Sequence, residues 1–355
     1  LRNLVLARQV SIENTVVSRD ITKLGEGASF SRRPELRKGF LMWVVAGAAL
    51  ALASMLFGTG LVGTVGRKAR DTNYRSTVGA QQPYNVVSLG GIAIAYTDSG
   101  GSGPVLICLH AIGHGARDFA DLSRRLSPGY RVLALDFPGQ GNSGPDTEPA
   151  SASHYADLLA QFIDHLELKS VILIGNSIGG AASIRYASTH PERVKALVLC
   201  DTGGLGKPGP ISRIFIGGFV QFFAAGRRGA VWYPWAFERY YRSVLITSSA
   251  REERNRIIRS AYEIALPLEQ AWRSFGRPDE NLLPLLPGIQ CPVLLAWARE
   301  DVVLPLKYAQ PSFNLFKQHQ LQVFDGGHAA FLEDPDQFEK SLRTFLEWVR
   351  ERGGT

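Results

Sequence analysis

The hydrophobic positions along the chain change period several times. From residue 1 to 38 they are scattered among polar and basic residues without a repeat, which predicts an unstructured or loosely helical tail. Residues 40–66, FLMWVVAGAALALASMLFGTGLVGTVG, carry no charge at all. A helix needs about 20 apolar residues to cross a bilayer core, so this run is long enough to span one. Polar residues return over 67–83, which read as a linker.

A folded pattern begins at residue 84. Residues 84–89 and 92–97 alternate apolar and polar positions, as in an antiparallel hairpin. Residues 105–110 (VLICLH) are continuously apolar, the mark of a strand buried on both faces. The pattern then predicts a helix at 117–126 and a strand at 132–136. A helix follows from a cap at Ser153 to about Leu166, then a strand at 171–174, a helix at 178–189 and a strand at 194–200. Strands alternating with helices imply parallel βαβ units and an α/β fold with a mostly parallel central sheet. Between 204 and 287 the chain is helical, aromatic and basic, with no strand signal. The rhythm resumes with a strand at 293–298, a helix at 306–316, a strand at 321–324 and a helix at 338–349. An insertion between two parallel strands leaves and re-enters at the sheet's C-terminal edge, where open α/β sheets bind ligands. Residues 204–287 are therefore expected to form a helical lid over a core made of 84–203 and 288–353.

Charge sharpens the view of the N-terminal part. The net charge is +7, and residues 1–70 hold eleven Lys/Arg against four Asp/Glu, while the rest holds 28 of each. The basic excess thus flanks the apolar run and is absent from the core, which argues against a nucleic-acid enzyme and for membrane-flanking charge. Arg32, Arg33, Arg37 and Lys38 precede the run and Arg67, Lys68 and Arg70 follow it, so the positive-inside rule does not orient it. Residues 39–66 are read as a single-pass anchor. The rival reading is a cleaved export signal, with Ser31-Arg32-Arg33 as a twin-arginine-like start and Ala51-Leu52-Ala53 as a cleavage site, although Glu35 fits that pattern poorly. The chain opens on Leu1, not Met, which leaves its natural start open. The three cysteines sit in or beside apolar runs without a metal-ligand spacing, and no metal or cofactor is expected.

The chemistry concentrates at strand ends. Gly175-Asn176-Ser177-Ile178-Gly179 is G-x-S-x-G set between an apolar strand and a helix. A sharp strand-to-helix turn needs small neighbours and leaves the serine exposed above the sheet, with a helix N-terminus behind it. A serine hydroxyl needs a base. His328, after two glycines beyond the last strand, is the candidate. The other histidines fall in helix or loop contexts where solvation is the default, except His110, which ends a strand and is expected to orient a loop. The base needs an acid to fix its tautomer. Asp301 follows the strand at 293–298 and ranks ahead of Asp201, which follows the preceding strand, and of Glu300, expected to face solvent. An oxyanion needs preorganised N–H donors, and Ile178, next after the nucleophile, supplies one. The second is expected from the loop after the strand at 105–110.

LHAIGHG (109–115), LDFPGQGNS (135–143), GNSIGG (175–180), AREDVVLP (298–305) and GGHAAFLEDPDQF (326–338) occur in this order over residues 84–350. In that combination the chain resembles the α/β-hydrolase fold-1 family. The resemblance implies an acyl-transferring serine hydrolase with a Ser177–Asp301–His328 triad, a second oxyanion N–H from Ile112, and a structural role for the 136–143 turn. Ala111 stands where the family usually has Gly, a strained choice if the loop turns left-handed there. A serine at the elbow disfavours epoxide hydrolase and dehalogenase branches, which carry Asp. Ester hydrolysis ranks first. GNSIGG also resembles the elbow of hydrolases that cleave C–C bonds in ring-fission products, though Ala329 replaces a Trp common there; cofactor-free perhydrolases share the triad. A binding module without activity is the outlying alternative. The aromatic runs 214–223 and 231–237 of the insertion are expected mainly to pack on the core, and secondarily to line an apolar acyl pocket or touch a bilayer. REERNRIIR (251–259) reads as a solvated helix face.

Overall fold

A computed structural model of the chain describes residues 83–206 and 209–352. The expected tail, the apolar run at 39–66 and most of the linker lie outside the described residues. Among the described residues no helix is long and apolar enough to cross a membrane.

Eight strands form one sheet in the order β1-β2-β4-β3-β5-β6-β7-β8. Strands β1 (Asn85–Leu89) and β2 (Ile92–Asp98) make the expected antiparallel hairpin, and β2 runs antiparallel to β4 (Arg131–Leu135). From β4 onward through β3 (Val105–Leu109), β5 (Val171–Asn176), β6 (Val194–Cys200), β7 (Val293–Ala298) and β8 (His319–Phe324) every pairing is parallel. Strands β5 and β7 are buried at every position, as continuous apolar runs require when both faces are covered.

The chain order places the site. It steps from β3 to β4 on one side, then returns past β3 to start β5 on the other. The reversal opens a crevice between the C-terminal ends of β3 and β5, the usual ligand position in open α/β sheets. Leu109 pairs with Gly175 at that edge, so the 110–115 loop and the Ser177 turn leave the sheet side by side.

Helices α1 (Ala120–Leu126), α2 (Ala152–His165) and α3 (Ile178–Thr189) follow β3, β4 and β5. Two boundaries depart from the sequence pattern. Residues Ala116–Phe119 are a 3₁₀ turn before α1, and α2 is capped by Ser151, whose hydroxyl accepts the His154 amide at 3.2 Å, and not by Ser153. The Ser153 hydroxyl is instead drawn to Glu280, 127 residues away, at 2.6 Å. Between β6 and β7 stand α4 (Pro210–Arg227), α5 (Tyr233–Val244), α6 (Arg251–Arg259) and α7 (Ala265–Ser274), and no strand. Beyond β7 come the short α8 (Leu306–Ala309), a 3₁₀ stretch Gln310–Leu315 where a continuous helix was expected, then α9 (Ala330–Glu333) and α10 (Pro335–Arg352). Pro311 lacks the N–H that would extend α8, which explains the break.

The insertion has its own apolar packing. Phe219 on α4 stacks on Trp272 of α7 with ring centroids 4.2 Å apart, and Phe223, Tyr233 and Phe237 are buried with them. Helix α6 is not the solvated face its sequence suggests. Arg254 is buried and Arg256 donates to Asp118 of the core at 2.9 Å.

Candidate active site

The turn after β5 is held by its neighbours. Ser177 sits at φ +54°, ψ −114°, a conformation that costs a non-glycine residue energy and persists only when its surroundings impose it. They do so here: the Ser177 amide donates to Cys200 O at 3.0 Å, and Gly203 N donates to Ser177 O at 3.2 Å. The small residues follow from crowding. A Cβ at Gly179 would overlap the Leu109 carbonyl, and one at Gly180 would overlap the Thr202 side chain. Ser177 begins α3, and among the described residues neither its hydroxyl nor the Ile178 amide has a hydrogen-bond partner.

The loop after β8 brings His328 to the same edge. Asn176 is fully buried, and its Nδ2 donates to His328 O at 3.0 Å and to Cys200 O at 3.1 Å. This side chain, which the sequence reading passed over, ties the serine turn directly to the histidine loop. His328 Nδ1 lies 2.8 Å from Asp301 Oδ2. Asp301 Oδ1 accepts the amides of Val303 at 2.7 Å and Leu304 at 3.0 Å, which fixes the carboxylate with Oδ2 toward the ring. Trp297, fully buried, braces that loop by donating Nε1–H to Leu304 O at 2.8 Å.

The two rival acids fall elsewhere. Asp201 is fully buried at φ +43° and accepts the Ala298 amide at 2.7 Å, while its Oδ2 has no partner. Burial, then the charge of Asp301, pushes its carboxyl well above the usual range, which favours its protonated form. Glu300 is exposed, as expected, but its carboxylate accepts the Gly326 amide at 2.8 Å and so steadies the histidine loop. A further residue missed from sequence is Tyr240. Burial first, then the Asp301 charge, raises its phenol.

The 110–115 loop is built from the core outward. Burial pushes His110 down to about 4, so its ring is neutral. With Nδ1 2.7 Å from Ala111 O, the free Nε2 lone pair accepts the Phe137 amide at 2.9 Å. Gln140 Oε1 accepts the Gly113 amide at 2.6 Å, and Asp136 accepts those of Ala116 and Asn142. The 136–143 turn thus supports the loop structurally. The left-handed residue is Gly113, at φ +81°, and Ala111 has no positive φ, so its Cβ brings no strain. Among the described residues the Ile112 amide has no acceptor.

His114, expected to be solvated, is buried and bonded to Asp118, which also pairs with Arg256 of α6. Burial alone would raise the Asp118 carboxyl, but His114 and Arg256 outweigh it and hold it below the usual range. The insertion approaches the loop from above as well: the nearest atoms to a Cβ built on Gly113 belong to Ile264, Tyr241 and Leu268, at 3.2–3.5 Å. Among the described residues no cluster of His, Cys, Asp and Glu is arranged to hold a metal ion.

With this geometry in view, the comparisons with known proteins decide the family. The profile of the alpha/beta hydrolase family matches residues 106–340, well over half of the chain. The chain belongs to the alpha/beta hydrolase family. Proteins named for different reactions are similar to it. It is 28% identical over 263 residues to a 2-hydroxy-6-oxononadienedioate/2-hydroxy-6-oxononatrienedioate hydrolase of Escherichia coli, covering 72% of this chain and 91% of that one. It is 27% identical over 261 residues to the dihydrolipoyllysine-residue acetyltransferase component of the acetoin cleaving system of Pseudomonas putida, covering 73% of this chain and 68% of that one. A thermophilic esterase from Thermogutta terrifontis superposes with a TM-score of 0.63 at 23% identity, over 75% of this chain and 99% of the other, a likeness of fold.

Proposed function

We propose that this alpha/beta hydrolase cleaves carboxylic esters through an acyl-enzyme on Ser177, with His328 as general base and acid and Asp301 as its orienting carboxylate. The observation that carries the reading is the 2.8 Å His328–Asp301 bond, in a loop tied through Asn176 to the strained serine turn. Asp301 accepts a hydrogen bond from the Nδ1–H of His328, which keeps that proton on Nδ1 and leaves the Nε2 lone pair to receive the Ser177 proton as the hydroxyl attacks the carbonyl. The free amides of Ile178 and Ile112 hold the oxyanion. Each such donor is worth about 3 kcal/mol of barrier. His328 then protonates the leaving alcohol, and water, deprotonated by the same ring, releases the acid.

The insertion serves as a lid in this reading. Its Tyr241, Ile264 and Leu268 bound the 110–115 loop with mostly apolar surface, which favours an apolar acyl or alcohol group. Residues 39–66 act as a membrane anchor holding the enzyme near lipid, with export after cleavage the rival outcome; extraction of the full chain from membranes at alkaline pH separates them.

Turnover of p-nitrophenyl esters of increasing acyl length tests the reaction. Ester hydrolysis abolished in Ser177→Ala is expected, and the preferred chain length sizes the pocket. The second reading is C–C bond hydrolysis, favoured by the similarity to the Escherichia coli hydrolase. Faster turnover of a ring-fission product than of any ester would put that reading first.

A further inference from the structure

The main chain of His328 hangs on the helical insertion. Its amide donates to the carbonyl of Val244, the last residue of α5, at 2.7 Å. The next three residues, Leu245, Ile246 and Thr247, begin the link from α5 to α6. The amides of Ile246 and Thr247 donate to Glu333 Oε1 and Oε2, each at 2.7 Å, and Thr247 Oγ1 donates to the Glu333 carbonyl at 3.2 Å. Glu333 ends α9, five residues after His328, and is 3% exposed. From the other side Arg254 Nη1 donates to Leu245 O at 2.7 Å and Thr247 O at 3.2 Å. The link is therefore clamped between a core carboxylate and an insertion guanidinium, both using charge-assisted bonds.

The glycines before His328 make room for this contact. A Cβ at Gly327 would overlap the Val244 carbonyl and come within 2.9 Å of Glu333 Oε1, and one at Gly326 would run into the Glu333 side chain. The Gly-Gly-His sequence thus reflects a close backbone approach to the insertion as well as the turn itself.

We propose that Glu333 is a positioning residue for His328. By gripping the 245–247 link it fixes the Val244 carbonyl, and that carbonyl sets where the imidazole stands relative to Ser177. This rests on the reading of Ser177 and His328 as nucleophile and base. The insertion is then part of the catalytic frame, because a shift of its link moves the base. Displacing a reacting group by 1 Å costs on the order of a hundredfold in rate.

The test is the labelling kinetics of the full chain with a small fluorophosphonate, comparing wild type, Glu333→Gln, Glu333→Ala and Gly327→Ala, each shown to be folded by circular dichroism and thermal melting. Positioning predicts a maximal labelling rate lowered about tenfold in Glu333→Gln, which keeps one acceptor oxygen, and about a hundredfold in Glu333→Ala, with little change in half-saturating concentration. Partial rescue by the amide is a readout that a purely structural role does not give. Folded Glu333 variants labelling at the wild-type rate, or changing only in half-saturating concentration, would overturn the proposal. If neither Glu333 variant folds, Gly327→Ala decides, since it keeps the charge and displaces the Val244 contact: a slowed rate supports the proposal and an unchanged one overturns it. A wild-type protein that does not label at all defeats the serine-hydrolase reading instead.

Discussion

Replacing Asp301 by Asn isolates the orienting role of the carboxylate, because the structure dictates how the amide must sit. Oδ1 of Asp301 accepts two backbone amides, from Val303 and Leu304, and Oδ2 faces His328 Nδ1. An asparagine must turn its carbonyl oxygen to the two amides, since an NH₂ there would meet N–H groups. Its NH₂ then points at Nδ1 and donates to it. The ring is forced to carry its proton on Nε2, the nitrogen that should receive the serine proton. The volume and the neighbouring bonds are otherwise kept. The wrong tautomer costs about 10⁴ in turnover in the serine-protease case from which this figure is taken, or about 5.4 kcal/mol of barrier. Protonated Asp201 lies nearby but is bonded to Ala298 and makes no bond to His328, so no rescue is expected from it. The assay is kcat/KM on a p-nitrophenyl ester together with the fluorophosphonate labelling rate. A folded Asp301→Asn enzyme within tenfold of wild type would refute the argument and make Asp201 the working acid.

Three further outcomes follow from the same contacts. Gln140→Ala strands the buried Gly113 amide at a cost of about 1–3 kcal/mol of stability, and it should lower kcat/KM by loosening the loop that holds the neighbouring Ile112 amide, whereas Gln140→Glu keeps the acceptor and most of the activity. Asp201→Asn should raise Tm at pH 7: the folded carboxyl titrates well above the unfolded value of about 3.9, so its stabilising protonation is full below that pH and is lost as pH rises toward the folded value. An asparagine removes this loss, tolerates φ +43°, and should show no benefit below about pH 4, where both forms are protonated. Arg256→Ala leaves the buried Asp118 with His114 alone and should cost about 3 kcal/mol in denaturant unfolding; because Asp118 is held low in the folded state, that cost is full above its unfolded pKa and fades as pH falls through the folded one.

The parts of the fold legible in the sequence are those with a local or periodic signal. Strands such as Val293–Ala298 announce themselves as buried apolar runs, and Gly175–Gly179 signals a crowded turn because every constraint lies within a few residues or on the adjacent strand. The shared location of Ser177, Asp301 and His328 was legible because each comes within four residues of a strand end, and the parallel registers gather those ends at one edge. What escaped the sequence rests on long-range partners. Ser151 beats Ser153 as a cap because Ser153 is claimed by Glu280. His114 and Arg256 look solvated until Asp118 is placed between them, and Glu333 reads as one more helix-end acid until the link at 245–247 comes down on it. Asn176 gave no signal beyond its place in the motif, since its partner, the His328 carbonyl, lies 152 residues on.

The most direct test of the central claim is peptide mapping by mass spectrometry after brief exposure of the purified full chain to a fluorophosphonate. The account predicts a single phosphonylated site at Ser177 in wild type and none in Ser177→Ala. Folded wild-type protein that stays unlabelled, or labelling that persists in the variant, would contradict it.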